Sequence, residues 1–551
     1  MPWAGAGHPP TNAVGSDTAM ATVREATLEL LRAHGMTTIF GNPGSTELPM
    51  LANLPSDFTY ILGLQEQAVV GMADGHAQAT GKPTHVNLHT APGVGNAVGA
   101  ICTARINKAP LVITAGQQVR AQVTHEALLT NRDAILVPQP YVKWSHEPPR
   151  AQDVPGAIGR AIHHATLAPM GPAFVSIPMD DWGAEADEDR AVHARRRVTN
   201  GRAVPDPAEL AQLARLLESA RSPVLVAGPD VDASGGWNAA VALAEKQRLP
   251  VWGPPYTATS RIGFPEGHPN FQGVLPPAIG PLADTLKGHD VVLVVGMPVF
   301  LYYPYMPGPL LADGTRLVAI TSDPDEAARA PMGDALVGDV ALALQELVEL
   351  VGESDRHAPY PQPDPPEPRD QDPMSGSTAM AVLADVWPDG AVAVTEAPSS
   401  TAALRSRLRL SEPGSYYQTG SGGLGFAIAA AVGVQLAEPD RPVVCVVGEG
   451  SAQYGITALW TAVAYKVPVT FLVLRNQEYM ILKWFASLEQ VEGAPGLELP
   501  GLDTGAVARA YGMPTRDVTT PGELGEALRE AIAADDGPRL VQARIASGMW
   551  T

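Results

Sequence analysis

The sequence predicts an α/β protein with three doubly wound parallel sheets, because short apolar strands alternate with segments of helical spacing along most of the chain. At 551 residues the chain is too long for one hydrophobic core, and about three domains is the expectation for that length. One strand–helix–strand unit is especially clear. An apolar run at Val443–Val447 is followed by a helical segment and then by a second apolar run at Val469–Leu474.

The charge balance argues against several classes of partner. The chain has 37 basic and 58 acidic residues, a net charge of −21, so neither nucleic acid nor an anionic membrane is expected to bind it. No apolar run is long enough to span a bilayer. The two cysteines, Cys102 and Cys445, stand in apolar segments. We therefore expect free core thiols in a reducing compartment, the cytoplasm.

The chain begins with a segment that does not resemble the rest. Residues 1–19 lack the basic start and the apolar block of a secretory signal. We expect a disordered N-terminal extension over 1–19, with Met20 as the original start.

Domain one is expected over residues 20–190, with a charged linker at 187–202. Its pattern is a helix at 23–34 and strands at 37–40, 58–64, 85–88, 111–114 and 173–177. Ser45, Glu66 and His89 each fall just after a strand. Singly, they are typical of a helix N-cap, a first-turn carboxylate and a turn residue. Together at one edge of a parallel sheet, they indicate a site.

Two further domains follow. The central domain is expected over 204–352, with strands at 224–227, 251–252, 290–295 and 316–320. It contains an aromatic loop around Tyr303. This loop either packs between domains or forms the wall of a pocket for an organic substrate. Residues 353–375 are rich in proline and predict an extended linker. The third domain is expected over 376–551, with a first strand at 391–394 and a glycine-rich loop at 419–425.

Glu449 and Asn476 are expected just past the carboxyl ends of two parallel strands in the third domain. A carboxylate and an amide oxygen that converge there suit a hard cation such as Mg²⁺. A tight strand-to-helix turn with a solvated glutamate explains the Gly448-Glu449-Gly450 sequence equally well. The sequence has no zinc-type cysteine cluster, no Walker phosphate loop and no GxSxG nucleophile turn.

Several motifs together resemble one enzyme family. They are GNPGSTELP, LQEQAVVGMADGHAQ, NLHTAPGVGNA, SYYQTGSGGLGFA, GEGS and the later Asn476. They are similar to the thiamine-diphosphate-dependent 2-oxo acid decarboxylases, above all to the branch that acts on benzoylformate, and the likeness covers nearly the whole chain from about Met20. The resemblance implies a lyase that decarboxylates an aromatic or branched 2-oxo acid non-oxidatively, through a C2 carbanion of thiamine diphosphate. Benzoylformate, giving benzaldehyde and carbon dioxide, is the expected substrate.

The resemblance also implies an assembly and a set of residue roles. In the family, two similar domains from two subunits meet around the cofactor, so a homodimer or homotetramer with sites at the dimer interface is expected. The implied catalytic residues are Glu66, His89 and Ser45, and the implied substrate pocket is Tyr303, Ile481, Leu482 and Phe485. Cofactor contacts are implied for Glu66, Ser399, Gly422, Leu424, Gly450, Ser451 and Tyr479. A metal ion, Mg²⁺ or else Ca²⁺ or Mn²⁺, is implied at Glu449, Asn476 and the backbone carbonyl near Glu478.

The chain departs from the family pattern at four places. Glu449 stands where the family usually has Asp, and Arg475-Asn476-Gln477 stands where it usually has Asn-Asn-Gly. Tyr303 replaces a second active-site histidine and is a poor proton shuttle near neutral pH. Ile481 replaces a small residue and should reduce the room for a bulky aryl group.

Two other functions are compatible with these motifs. A carboligase or lyase of 2-hydroxy ketones, of the acetolactate synthase or benzaldehyde lyase type, would use the same cofactor. A non-catalytic relative would use the fold for assembly or sensing, although Glu66, His89, Ser45, Glu449 and Asn476 argue against it. The pattern also leaves open a flavin in the central domain, as in the acetolactate synthase branch.

Overall fold

The computed structural model describes residues 21–256, 259–359, 361–368 and 371–548. In these residues the strands form three six-stranded sheets, and the strand pairings that make them up are parallel. This arrangement confirms the predicted fold class. The expectations for residues 1–19 and for Met20 lie outside the described residues. None of the helices in the described ranges is long and apolar enough to cross a bilayer.

The first sheet has six strands and is flanked by seven helices. The strands are β1 (Thr38–Gly41), β2 (Thr59–Leu62), β3 (Thr84–Leu88), β4 (Leu111–Gln117), β5 (Ser145–His146) and β6 (Ala173–Pro178). The helices are α1 (Val23–Ala33), α2 (Leu48–Leu51), α3 (Glu66–Thr80), α4 (Thr90–Ile106), α5 (Arg120–Val123), α6 (Val154–Thr166) and α7 (Glu188–Arg196). The strand order is β2-β1-β3-β4-β6-β5, so the chain winds outward in both directions from β1 and β3.

The central sheet has the same number of strands but another order. Its strands are β7 (Pro223–Ala227), β8 (Val251–Gly253), β9 (Phe271–Val274), β10 (Val291–Val295), β11 (Arg316–Thr321) and β12 (Asp334–Val337). Its helices are α8 (Pro207–Ser219), α9 (Pro229–Ala233), α10 (Trp237–Lys246), α11 (Ile279–Thr285), α12 (Pro324–Ala328) and α13 (Val340–Leu350). The order β12-β11-β10-β7-β8-β9 is that of a Rossmann sheet.

The third sheet repeats the strand order of the first. Its strands are β13 (Val392–Glu396), β14 (Tyr416–Gln418), β15 (Val443–Gly448), β16 (Thr470–Arg475), β17 (Thr515–Val518) and β18 (Arg539–Arg544). Its helices are α14 (Gly376–Asp385), α15 (Thr401–Leu408), α16 (Phe426–Ala437), α17 (Glu449–Gly455), α18 (Ala458–Ala464), α19 (Met480–Leu488), α20 (Thr504–Ala510) and α21 (Pro521–Ile532). The order β14-β13-β15-β16-β18-β17 gives this sheet its switch point between β13 and β15.

The first and third sheets share one hydrophobic core through the helix pair α3 and α16. The two helices approach so closely that a Cβ on Gly433 would overlap the backbone carbonyl of Met72, and one on Gly75 would overlap that of Ala430. Gln67, in the first turn of α3, donates from Nε2 to the carbonyl of Leu424, 2.8 Å away and just before α16. The helices therefore run side by side in the same direction, with their N-termini together.

The structure differs from the sequence prediction at the supposed charged linker. Residues 188–196 of the predicted linker form α7, which packs on α1 and α6. Asp187 caps this helix by accepting from the N–H of Arg190 at 3.2 Å, and Arg195 pairs with Glu29 at 3.7 Å. The helix has no buried residue, so the hydrophobic periodicity that predicts helices is weak here.

The close packing of α3 against α16 makes a test of the fold. Gly433→Ala should lower the thermal unfolding midpoint, since the added methyl group overlaps backbone and an overpacked core typically costs about 1–3 kcal/mol. Gly156→Ala, in α6, is the matched control, because nothing lies within 4 Å of the new Cβ. It should leave the midpoint unchanged or raise it slightly. Equal midpoints for the two variants would contradict the packing described here.

Candidate active site

The Glu66 carboxylate is buried at the first residue of α3 and is held by two amides. Its Oε1 accepts from Nδ2 of Asn42 at 3.1 Å, and its Oε2 accepts from Nδ2 of Asn96, also at 3.1 Å. Only 7% of the residue is exposed. Gly93 lies beside it, where a Cβ would come 3.1 Å from Oε1. Neutral donors fix the direction of the carboxylate without neutralising its charge.

His89 lies at the start of α4 and is oriented by Glu47. Its Nδ1 is 2.9 Å from Oε2 of Glu47 and 3.3 Å from the hydroxyl of Thr46. Because a carboxylate only accepts, the hydrogen of the neutral ring belongs on Nδ1, and Nε2 keeps its lone pair. Glu47 is itself fixed, since it accepts from the N–H groups of Gly44 at 2.8 Å and Gly116 at 2.9 Å.

Ser45 belongs to the same loop as Glu47. It is exposed, and its hydroxyl makes no hydrogen bond to any described residue. It does not cap α2, whose N-cap residue is Glu47. A Cβ on the neighbouring Gly44 would overlap the His89 ring, so the structure brings this loop and His89 together at one edge of the first sheet, as predicted.

The glycine-rich loop 419–425 leads into α16. Gly422 and Gly425 have φ of 72° and 103°, and a Cβ on Gly422 would have no atom within 4 Å. Glu396, at the end of β13, accepts from the N–H groups of Gly425 and Ala427, both at 2.7 Å. Burial raises the pKa of Glu396 to about 7. The C-terminal end of the loop is therefore held by the buried carboxylate of Glu396, and Gly422 lies next to open space.

Glu449 is the first residue of α17 and is almost fully buried. Its Oε1 accepts from the N–H of Asn476 at 3.0 Å and from the N–H of Gln477. Burial raises the pKa of this carboxyl, and the backbone hydrogen bonds partly oppose the rise. The predicted pair therefore does meet at the carboxyl ends of β15 and β16.

The other predicted residues of this group lie around the same turn. The side chain of Glu478 is occupied by the hydroxyl of Ser547 at 2.5 Å and by Lys483. The backbone carbonyl of Glu478 is therefore the oxygen of this residue that could bind a cation. The ring of Tyr479 covers Gly450, where a Cβ would come 2.5 Å from Cε1. Ser451 is buried one residue further along α17, and Ser399 is half-buried in the turn after β13.

The oxygen donors at this turn fit a hard cation. Glu449 offers a carboxylate, Asn476 an amide oxygen and Glu478 a backbone carbonyl, which is the donor type that Mg²⁺ and Ca²⁺ prefer. The described residues contain no cluster of three or more His, Cys, Asp or Glu side chains that could hold a metal.

An aromatic contact joins the central sheet's loop to α19. The rings of Tyr303 and Phe485 lie 4.9 Å apart between centroids, and the N–H of Tyr303 donates to the carbonyl of Pro277 at 2.9 Å. Tyr303 is 56% exposed and Leu482 is 46% exposed. No residue of α19 is buried, so Ile481, Leu482 and Phe485 form an apolar surface open to a ligand or to another chain.

The predicted site residues fall into two groups within the chain. One comprises Ser45, Glu66 and His89 at the first sheet. The other comprises the residues around Glu449 and Asn476 at the third sheet, continued by α19. No hydrogen bond or ion pair among the described residues joins Glu66 or His89 to Glu449 or Asn476.

The sequence did not identify the residues that orient the predicted site residues. They are Asn42, Glu47, Asn96 and Glu396. Asn42 and Glu47 stand in the same GNPGSTELP motif as Ser45, so a search for polar neighbours of the predicted residues could have found them. Asn96 and Glu396 reach their partners only through the fold.

Comparisons with known proteins agree with this architecture. Three family models of thiamine pyrophosphate enzymes match the chain: the N-terminal binding domain at residues 21–135, the central domain at 210–347 and the C-terminal binding domain at 398–543. A benzoylformate decarboxylase from Pseudomonas aeruginosa is 51% identical over 517 residues, which cover 94% of this chain and 97% of that protein.

Solved structures give the same result. The thiamine diphosphate-dependent 4-hydroxybenzoylformate decarboxylase of Rhodococcus jostii RHA1 superposes with a TM-score of 0.94 at 46% identity, and the alignment covers 96% of this chain and 100% of that one. The benzoylformate decarboxylase of Polynucleobacter necessarius gives a TM-score of 0.93 at 41% identity with the same coverage. The chain therefore belongs to the thiamine-diphosphate-dependent 2-oxo acid decarboxylase family, and it is a carboxy-lyase that works with thiamine diphosphate.

Proposed function

We propose that the protein decarboxylates benzoylformate, or a closely related aromatic 2-oxo acid, to the aldehyde and carbon dioxide. The observation that carries this proposal is the buried Glu66 carboxylate, fixed by two neutral amides and placed near His89. The substrates in the printed names of the relatives are aryl 2-oxo acids. An aromatic wall of Tyr303 and Phe485 suits such a substrate.

The residues at the first sheet would handle the protons and the substrate carboxylate. Bound thiamine diphosphate supplies the electron sink that lets the carboxylate leave as carbon dioxide. Glu66 would share a proton with the ring nitrogen of the aminopyrimidine, a task for which its uncompensated charge suits it. His89, with its hydrogen on Nδ1 held by Glu47, would exchange protons at Nε2. Ser45, exposed in the adjoining loop, would contact the substrate carboxylate.

The residues at the third sheet would hold the cofactor. We assign a magnesium ion, or Ca²⁺ or Mn²⁺ in its place, to Glu449, Asn476 and the carbonyl of Glu478. The diphosphate would lie against Gly450, Ser451, Ser399 and Tyr479. Gly422 would offer its carbonyl to the aminopyrimidine, and Leu424 would pack against the cofactor. The fit is supported by the all-oxygen donor set and by the open space around Gly422.

The substrate pocket would be formed by Tyr303, Ile481, Leu482 and Phe485. Ile481 and Leu482 lie on α19, in the same half-exposed apolar surface as Phe485. The branched side chain of Ile481 reduces the space in this pocket, so we expect substrates with flat aryl groups to be favoured over those with bulky ones.

We propose a homodimer or homotetramer in which a second chain completes each site. Glu66 and Glu449 share no hydrogen-bond network within the described chain, and large apolar side chains are exposed near both: Leu64 is 43% exposed and Tyr454 is 50% exposed. We also propose a cytoplasmic location, which the free cysteines Cys102 and Cys445 support. The proposed domains are 20–190, 204–352 and 376–551, with a linker at 353–375.

The substrate and reaction type can be tested with purified protein, thiamine diphosphate and Mg²⁺. Benzoylformate alone should give stoichiometric benzaldehyde, and added acetaldehyde should divert only a minority of product into the hydroxy ketone. The measurement is the ratio of aldehyde to hydroxy ketone by chromatography. Little aldehyde in both assays would refute the decarboxylase proposal and favour the carboligase function.

Glu66→Gln tests the proposed proton relay. The amide cannot share the proton, so turnover should fall about a hundred-fold or more. Affinity for the cofactor should change by no more than about tenfold, because a single hydrogen bond is altered. Glu349→Gln, at an exposed position of α13, is the matched control. Near-normal turnover of Glu66→Gln would remove Glu66 from the mechanism.

Glu449→Gln tests the metal assignment. The glutamine oxygen can still accept from the N–H groups of Asn476 and Gln477, so the fold should be kept, but the charge that binds the cation is lost. The Mg²⁺ concentration required for half-maximal activity should rise at least about tenfold, as titration of the metal-stripped protein would measure. An unchanged Mg²⁺ requirement would mean that Glu449 only caps the turn after β16.

A further inference from the structure

We propose that Asn107, oriented by the buried Asp74, is a positioning residue that sets the glycine-rich loop 419–425 for the cofactor. This inference rests on the proposed function, in which Gly422 and Leu424 of that loop contact the aminopyrimidine. Neither Asn107 nor Asp74 touches the proposed site directly. They belong to helices of the first sheet, whereas the loop belongs to the third.

Asn107 uses both ends of its amide at once. Its Oδ1 accepts from the N–H of Gly420 at 2.9 Å, and its Nδ2 donates to Oδ2 of Asp74, also at 2.9 Å. Because the backbone N–H of Gly420 only donates, the amide oxygen must face Gly420 and the NH₂ end faces Asp74. The side chain is 7% exposed, so water has little access to replace either bond.

Asp74 is in turn held on its other side. Its Oδ1 accepts from Nε2 of Gln78 at 2.8 Å. The Oε1 of Gln78 accepts from Nε of Arg261 at 3.3 Å, and Arg261 pairs with Asp232 at 3.0 Å. A continuous series of hydrogen bonds therefore connects the loop to the buried ion pair of Arg261 and Asp232. Asp232 lies in α9 of the central domain. A buried polar network in which each member is satisfied is rigid.

Gly420 is held by Asn107, whereas Gln67 and Glu396 hold the other end of the loop at Leu424 and Gly425. Gly422 and Gly423 are exposed. A Cβ on Gly420 would come 3.0 Å from Oδ1 of Asn107, so this close contact depends on glycine. The hydroxyl of Ser421 meets that of Thr103 at 2.8 Å. That pair can rotate and exchange donor roles, whereas the bond from Gly420 to Asn107 has one direction, because a backbone N–H only donates.

A purely structural role makes a different prediction from a positioning role. If Asn107 only tied the domains together, its loss would lower the stability of the apoprotein and leave the affinity for the cofactor unchanged. If it sets the loop, its loss should weaken cofactor binding and lower kcat, with KM for the 2-oxo acid nearly unchanged. No hydrogen bond among the described residues joins Asn107 to the substrate wall at Tyr303 and Phe485, so we expect KM to stay nearly unchanged.

The experiment compares Asn107→Ala with Asn238→Ala, an exposed asparagine on α10. The dissociation constant of thiamine diphosphate in excess Mg²⁺ is measured by calorimetry, kcat and KM by benzaldehyde release, and apoprotein stability by thermal melting. For Asn107→Ala we expect a cofactor dissociation constant raised about tenfold, the equivalent of one lost hydrogen bond. The kcat should fall at least as much, and the control should match the unmodified protein.

A charge swap gives the sharper test. Asn107→Asp preserves the volume of the side chain but sets two carboxylates face to face, so cofactor binding should again be impaired. In the double variant Asn107→Asp with Asp74→Asn, the two side chains exchange roles. The carboxylate at 107 accepts from the N–H of Gly420. The amide at 74 donates to that carboxylate and accepts from Gln78. This double variant should recover affinity to within about threefold of the unmodified protein. Asn107→Asp also serves in place of Asn107→Ala if the latter does not fold.

Two outcomes would overturn the proposal. One is an unchanged cofactor dissociation constant in folded Asn107→Ala or Asn107→Asp, and the other is a double variant that binds no better than Asn107→Asp alone. Leu424→Ala separates this failure from failure of the proposed function. If Leu424→Ala also leaves affinity and turnover intact, the loop does not serve the cofactor. If Leu424→Ala impairs them while the Asn107 variants do not, only the role of Asn107 is wrong.

Discussion

The contact between α3 and α16 is the constraint on which the rest of this structure depends. Two long helices from different sheets approach until backbone meets backbone at Gly75 and Gly433, and their apolar faces merge two sheets into one core. Because the helices run in the same direction, their N-termini lie together. Glu66, at the start of α3, and Leu424, just before α16, are thereby brought to the same end of the molecule. Backbone packing therefore fixes how the first and third sheets of one chain are placed relative to each other.

The buried carboxylates of Glu66, Glu396 and Glu449 have N–H donors as partners, whereas those of Glu478 and Glu266 are paired with cations. Glu66 is held by two asparagines, and Glu396 and Glu449 are held by backbone N–H groups. By contrast, Glu266 pairs with Arg405 at a packing contact outside the site. Neutral donors orient a carboxylate without cancelling its charge. In the proposed function, this difference would leave Glu66 available to share a proton and Glu449 available to bind a cation.

The sequence predicted the fold class and many of the buried strands, although not β14 or β18. It also placed the candidate site residues at sheet edges, because parallel strands carry such residues to a common edge. It did not predict the edge strand β12, whose residues are mostly exposed, nor the helix α7, which buries nothing. The orienting residues escaped for another reason. Asn96 reaches Glu66 and Asp74 reaches Asn107 across distances of about 30 residues in sequence. Such pairs are created by packing, and no local pattern marks them.

Two departures from the family pattern contact each other in the structure. Gln477 stands where the family usually has glycine and adopts a φ of 63°, a conformation that is strained for a residue with a side chain. Glu449 stands where the family usually has aspartate, and its additional methylene lets Oε1 reach the N–H of Gln477 as well as that of Asn476. The longer carboxylate thus stabilises the strained turn. Glu449 and Gln477 are therefore joined by a hydrogen bond at the end of β16.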